Sequence, residues 1–424
     1  MGLTRRRFLA TAGLGLAGPW VLAGRALGGE ANPPPSDRVV IGIIGVGGQG
    51  SSHLSLRGNP RARIAAVCDV YQPNLLRAKQ AVDDCDAYDD FRRIIDRKDV
   101  DAVVVATPDH WHALITIMAC QSGKDVYCEK PLSLTVPEGR AMVNAARRYG
   151  RVVQMGTQHR SNPRIRQVCE WVRSGRIGKV DKVRVWMTRN ATHPLIPDSE
   201  PPPDLNWDMW LGPSPWVPYH PQRCPYNFRW FFAYAGGYMT DWGVHMLSVV
   251  SWGMGSDATG PVSIEATGRA DPNSLYDVPV EMSARFEFAE PAYVMTWQQP
   301  GTGDEEPGHE YGMQFCGSQG TITDFFGGHV VHPNGLDLGP TRAGEVHLYQ
   351  SNSHHDNWLD CIASRQRPIV DVEIGHRITS MCALGNLAYR LGRKLRWDPV
   401  QEQFIGDDAA NRVLGNPYRA PWRL

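Results

Sequence analysis

The sequence predicts an α/β chain: a doubly wound parallel sheet first, then an α+β domain with a large, mostly antiparallel open sheet. Three observations predict it. From Arg38 to about Val153, short apolar runs alternate with amphipathic stretches, the pattern of strand–helix–strand units. A glycine-rich turn stands directly after the first of these runs. Beyond about Gly156 the pattern changes to alternating runs with Gly and Pro between them, as in a sheet with one solvated face. At 424 residues the chain exceeds one ordinary core, so more than one domain is expected.

The first segment stands apart. Thr4-Arg5-Arg6-Arg7-Phe8-Leu9 precedes an apolar run, Ala10 to Leu22, and then small residues. This charged, apolar, small-residue order is that of a signal peptide, and the paired arginines match the twin-arginine type. Residues 1–31 are therefore expected to be a leader read by the twin-arginine translocation machinery, with the folded chain exported to a periplasmic or extracytoplasmic space. Cys68, Cys128 and Cys316 fall in or beside apolar runs, and no CxxC pair exists among the nine cysteines. Folding before export, in a reducing compartment, makes them small buried hydrophobes.

Pro33-Pro34-Pro35 form a stiff spacer. Strands are then expected at Val39–Ile44, Ile64–Cys68, Val103–Ala106, Val126–Cys128 and Val152–Met155, with helices over Asn74–Val82, Phe91–Asp96 and Trp111–Gln121. Residues 36–156 make the first domain and 157–424 the second. The second opens with a helix (Pro163–Ser174) and a strand (Val180–Arg189), followed by a proline- and aromatic-rich segment from about His193 to Tyr238. Strands follow at Val280–Phe288, Tyr293–Gln298, Met313–Cys316 and Thr321–Phe325, then a last helix, Ile374–Leu391. The final residues are expected to pack back on the first domain.

The charges balance, 44 basic against 44 acidic residues, which argues against a nucleic-acid binder with its basic face. Gly45-Val46-Gly47-Gly48-Gln49-Gly50 lies between a strand and a helical stretch. In that setting Gly45 allows the tight turn, Gly47 lets the backbone approach a pyrophosphate, and Gly50 lets helix and strand pack closely. The phosphates meet the positive end of the helix dipole. Asp69, at the end of the second strand, is placed to accept from the adenosine ribose hydroxyls or to cap the next helix. The first domain thus reads as a Rossmann-type dinucleotide-binding domain. A carboxylate at Asp69 repels a 2′-phosphate, and no arginine stands in Val70-Tyr71-Gln72, so NAD is favoured over NADP.

Two clusters carry the chemistry. Glu129-Lys130-Pro131 follows Val126–Cys128 at the carboxyl edge of the sheet, where open parallel sheets bind ligands. Pro131 disfavours helix at Lys130 and keeps the lysine extended into the cleft. In Gly236-Gly237-Tyr238-Met239-Thr240-Asp241-Trp242-Gly243-Val244-His245, a continuous helix would set Asp241 and His245 on one face.

With Ala106-Thr107-Pro108-Asp109-His110-Trp111-His112 and the tail from Gly392 to Trp422, these pieces resemble the glucose–fructose oxidoreductase/inositol dehydrogenase/MocA (Gfo/Idh/MocA) family over nearly the whole chain after the leader. The resemblance implies an NAD(P)-dependent oxidoreductase acting on a sugar or polyol, assembled as a homodimer or homotetramer. It implies that His245 is the principal acid/base, that Lys130 contacts the reacting hydroxyl and shares proton transfer, and that Asp241 orients the sugar and supports the lysine. It also implies that Thr107, Pro108, His112, Glu129 and Lys130 border the cofactor, although Asp109 and His112 suit capping and packing of the next helix. Histidine's ordinary pKa, about 6.5, suits removal of a hydroxyl proton. The chain departs from the family at Ser248, where an acid is usual, and at Ala383, where histidine is frequent.

Further candidates for substrate contact are Gln158 and Arg160, after the last parallel strand, and Trp207 and Tyr238 in the aromatic segment, since aromatic faces suit a sugar ring. His354-His355-Asp356 and the scattered histidines lack a fixed ligand geometry, and no metal is expected. Three functions follow: a dehydrogenase exchanging NAD with solution, a redox-neutral enzyme that keeps its NAD bound and couples two sugars or works through a transient keto-sugar, and a non-catalytic sugar-binding protein. Export favours the second, because the cofactor then enters before translocation, while Lys130, Asp241 and His245 together speak against the third.

Overall fold

The computed structural model describes residues 37–302, 308–336 and 338–424; the leader expected at 1–31 lies outside them. The first sheet is built from β1 (Val39–Ile44), β2 (Ala62–Cys68), β3 (Asp86–Tyr88), β4 (Ala102–Val105), β5 (Asp125–Cys128) and β6 (Val153–Met155). All are parallel, in the order β3-β2-β1-β4-β5-β6. The order reverses between β1 and β4, and the crevice at their carboxyl ends is where such sheets bind nucleotides. β1, β4 and β5 read as near-continuous apolar runs because helices cover both faces. The edge strand β3 was not expected from the sequence: Asp86-Ala87-Tyr88 is short, largely exposed and without an apolar run.

The second sheet comprises β7 (Val180–Trp186), β8 (Ser263–Arg269), β9 (Glu281–Ala289), β10 (Ala292–Gln299), β11 (Gly312–Gly317), β12 (Thr321–Asp324), β13 (His329–His332), β14 (Leu395–Asp398) and β15 (Gln403–Phe404). Its order is β13-β12-β11-β7-β10-β9-β8-β14-β15. It is antiparallel except for β7 against β10. Inward Met282, Ala284, Phe286 and Phe288 alternate with outward polar residues along β9, the signature of a sheet with one wet face.

Helices from the second half reach the first sheet. The helix His354–Ser364 places Trp358, Leu359 and Cys361 in one buried cluster with Ile41, Val67, Val104 and Tyr127. Arg365, just beyond it, pairs with Asp125 at 2.7 Å. Near the chain's end, Trp422 packs edge-on against Trp111, with ring centroids 4.7 Å apart. All nine cysteines are free thiols, buried except for the half-buried Cys316. Among the described residues no helix is long and apolar enough to cross a membrane.

Candidate active site

A cleft of about 740 Å³ runs along the carboxyl ends of β1, β2, β4 and β5 and is closed on its other side by residues of the second half. Its glycine loop is built by exclusion. Gly45 has φ +83, and a Cβ there would sit 2.6 Å from the Ala106 carbonyl oxygen. At Gly50 a Cβ would lie 2.0 Å from the Gly45 oxygen, so only glycine lets the helix Gly48–Ser52 start this close to β1. Gly47, Gly48 and Gln49 face the cleft, and a Cβ on Gly48 would meet open space. This cradle fits a pyrophosphate.

Val46 is not on the wall. It is buried, and its N–H donates to Asp69 Oδ2 at 2.9 Å. Asp69 also accepts from the Tyr71 N–H (2.9 Å) and from Asn74 Nδ2 (3.3 Å). Burial nevertheless pushes its carboxyl above the usual range. Asp69 lines the adenosine end together with Asn74 and Arg77, whose guanidinium donates to Asn74 Oδ1. Neither was singled out in the sequence: they lie five and eight residues past Asp69, outside the motif.

At the other end, Lys130 Nζ donates to Asp241 Oδ1 (2.7 Å) and to the Asp241 carbonyl oxygen (3.0 Å). Arg229 Nη1 donates to the second carboxylate oxygen at 2.8 Å. Burial alone would raise the Asp241 carboxyl, but these two cations outweigh it and hold it below the usual range. The expected continuous helix is broken at Trp242: one helix ends at Asp241 and the next begins at Gly243. The pair still reaches the same cleft, with Asp241 at the end of one helix and His245 in the first turn of the other. His245 Nδ1 is buried without a hydrogen-bond partner, and its ring meets His159 edge-on at 4.9 Å. Burial, with Lys130 and His159 adding to it, drives the imidazole well below its ordinary pKa.

Thr107, Pro108, Glu129 and Gln158 line the cleft. Burial would raise Glu129, but the His53 hydrogen bond (3.0 Å) and charge, with Lys130, hold it below the usual range. His112 does not line the cleft. Its ring nitrogens lie 2.7 and 2.9 Å from the carbonyl oxygens of Pro131 and Thr107, so it ties together the two loops that do.

Three expected substrate residues lie elsewhere. Arg160, 1% exposed, is held by Asp257 (2.7 Å) and by the side chain and carbonyl of Ser248. Trp207 stacks on Trp210 and donates Nε1–H to the Val217 oxygen inside a buried aromatic cluster. Tyr238 packs edge-on against Trp230. The aromatic segment instead contributes Trp210, Tyr226 and Phe228 to the wall, and Ala383 lies off it. Asp109, Arg229 and His159 also line the cleft. No sequence signal beyond proximity to a motif marked the first, and none marked the other two.

Residues 39–157 match the oxidoreductase family described by its NAD-binding Rossmann fold, and residues 171–290 and 337–424 match that family's C-terminal alpha/beta domain. Among curated relatives, inositol 2-dehydrogenase 2 of Saccharopolyspora erythraea is 35% identical over 163 residues, 38% of this chain and 48% of that protein. A glycosyl hydrolase family 109 protein of Shewanella pealeana is 34% identical over 178 residues, 35% of this chain and 38% of the relative. The chain therefore spans about half or less of the length of these relatives. Among solved structures, the WlbA dehydrogenase from Bordetella pertussis in complex with NADH and UDP-GlcNAcA superposes with a TM-score of 0.63 at 19% identity, over 85% of this chain and 99% of the other. Levoglucosan dehydrogenase in complex with NADH and L-sorbose gives 0.63 at 17% identity, with the same coverage. At these identities the two structures establish a shared fold. The family matches cover both halves, and the chain belongs to the Gfo/Idh/MocA oxidoreductase family, whose NAD-binding Rossmann fold forms its first half.

Proposed function

We propose that the chain is an NAD(P)-dependent oxidoreductase acting on a CH–OH group of a sugar, glycoside or polyol. One observation carries this: Lys130 from the first half and Asp241 and His245 from the second share a wall of the cleft that holds the glycine loop. A bound nicotinamide supplies a hydride acceptor for the carbinol carbon. Lys130, fixed by Asp241, offers its remaining N–H groups to the carbinol oxygen and stabilises the charge that develops there. Asp241, kept ionised by Lys130 and Arg229, can accept from a neighbouring hydroxyl. The imidazole of His245, neutral because it is buried, can take the hydroxyl proton. The names of the curated relatives, inositol 2-dehydrogenases among them, support this substrate class.

The test is spectrophotometric. Purified protein is given NAD+ or NADP+ with a panel of inositols, aldoses and glycosides, and reduced nicotinamide is followed by absorbance. Reduction with NAD+ in preference to NADP+ is expected. Absence of both reduction and cofactor binding across the panel would remove the reading.

A second reading, with cofactor retained through each cycle, is favoured by the aromatic segment. Its backbone bonds to the adenosine edge of the first sheet (Gln72 N–H to Asp204 oxygen, 2.9 Å; Asn206 N–H to Val70 oxygen, 2.9 Å), and Cys224, Tyr226 and Phe228 form part of the cleft wall. Nicotinamide released only on denaturation supports retention; protein purified empty and needing added NAD+ opposes it. Export through the twin-arginine route rests on residues 4–22 of the sequence. Changing Arg5 and Arg6 to lysine should strand the chain inside the cell, and unchanged export would sink that reading.

A further inference from the structure

The cleft contains a second carboxyl group that the roles above leave unused. Asp109 opens the helix Asp109–Gln121, directly after β4 and the Thr107-Pro108 turn, and is 7% exposed on the cleft wall. Three charged groups from three other elements face it: Lys130 after β5, Arg229 on the turn Asn227–Trp230, and Asp241 at the end of its helix. Both cations are already hydrogen-bonded to Asp241, whereas among the described residues Asp109 forms no ion pair and its carboxyl is bonded to its own backbone N–H. On its own helix, His110 and His112 are buried, shifted below their ordinary pKa and turned to backbone oxygens. Asp241 is therefore held as a carboxylate while Asp109 is left to change state. Two carboxyls pushed apart in this way mark an acid–base site.

We propose that Asp109 is a further acid–base residue of this cleft, giving up its proton when the oxidised cofactor enters and serving as the final acceptor of the hydroxyl proton that His245 removes from the carbohydrate during oxidation. The step balances: the carbinol C–H bond would yield a hydride to the oxidised nicotinamide, the O–H bond its proton to His245 and from there to the Asp109 carboxylate, and the C=O bond forms. Burial, with Asp241 beside it, raises the group to about 8, so it starts protonated at neutral pH, and a positive ring nearby favours the ionised form. His245 Nδ1 has no hydrogen-bond partner, and burial with Lys130 nearby opposes a second proton on the ring. Asp109 supplies what that imidazole lacks.

The proposal rests on the oxidoreductase reading, and its test separates the two. NAD+ and NADH are titrated calorimetrically into the full protein at pH 7, in buffers of different ionisation heat. Wild type should release up to about one proton on binding NAD+ and fewer on binding NADH. Asp109→Asn, and independently Asp109→Ala, should bind NAD+ without that release. Infrared difference spectra of wild type on NAD+ addition should show loss of a protonated-carboxyl band. Binding with the same proton release in wild type and both variants, or a release lost only in Lys130→Ala, overturns the proposal and leaves the oxidoreductase reading intact. No binding of NAD+ or NADP+ by wild type sinks both.

Discussion

Lys130→Ala is expected to lower turnover by roughly 10²- to 10⁴-fold, the range for removing a positioned proton donor or charge-stabilising group. NAD binding should survive. Asp69 lies at the other end of the cleft, and neither it nor the glycine cradle is hydrogen-bonded to the Lys130 side chain, whose partner is Asp241. Asp241 would keep Arg229 as a counter-ion, so the fold should also survive. The measurement is kcat and KM on the best substrate of the panel, beside a thermal melt and a cofactor titration. Loss concentrated in kcat identifies the ammonium with the chemical step. Turnover equal to wild type would remove the proposed mechanism.

Arg160→Ala should act in the opposite way, on stability and not on the reaction. Its guanidinium is almost fully buried, paired with Asp257, bonded to Ser248 and stacked over Trp252 at 5.4 Å. Removing one partner of a buried pair strands the other, at a cost of about 3–5 kcal/mol. Ser251 still donates to Asp257 at 2.6 Å, and Asp257 is partly exposed, which favours the lower figure. The denaturant midpoint should fall while KM of the folded enzyme changes little, because Arg160 is off the cleft. The cost should also depend on pH. Burial raises the Asp257 carboxyl, but Arg160 outweighs that and leaves it below the usual range. The pair's contribution is therefore complete above an ordinary aspartate pKa, ~3.9, and is lost as pH falls through the lower folded value. A rise in KM with unchanged stability would restore Arg160 to the substrate.

The parallel sheet was legible because both its faces are covered, which forces near-continuous apolar runs such as Val103-Val104-Val105. The cradle was legible because Gly45 and Gly50 meet backbone atoms that only glycine tolerates. The failures share a cause. Arginine and tryptophan are chosen for binding sites and equally for buried pairing and packing. What decided Arg160 was Asp257, nearly a hundred positions away, and what decided Trp207 was the Val217 carbonyl. Nothing local announces either partner. The break at Trp242 was hidden for a similar reason. Gly237, at φ +64, sits against Asn190, whose side chain accepts from the Tyr238 N–H, and this fixes the short helix from a distant loop. Asp109 lay inside a recognised stretch, but whether it gains an ion pair depends on how Lys130 and Arg229 divide themselves over Asp241.

The helix carrying Trp358 bears on how this protein could be re-engineered. It roofs β1, β2 and β4 with side chains from some two hundred positions beyond β6. A graft of the nucleotide half alone would bare an oily patch where that tryptophan belongs and invite aggregation. Swapping cofactor preference between relatives should therefore proceed by point changes around Asp69, Asn74 and Arg77, not by exchanging halves. Heat should melt the two halves together, and a dinucleotide bound to the first should protect the second.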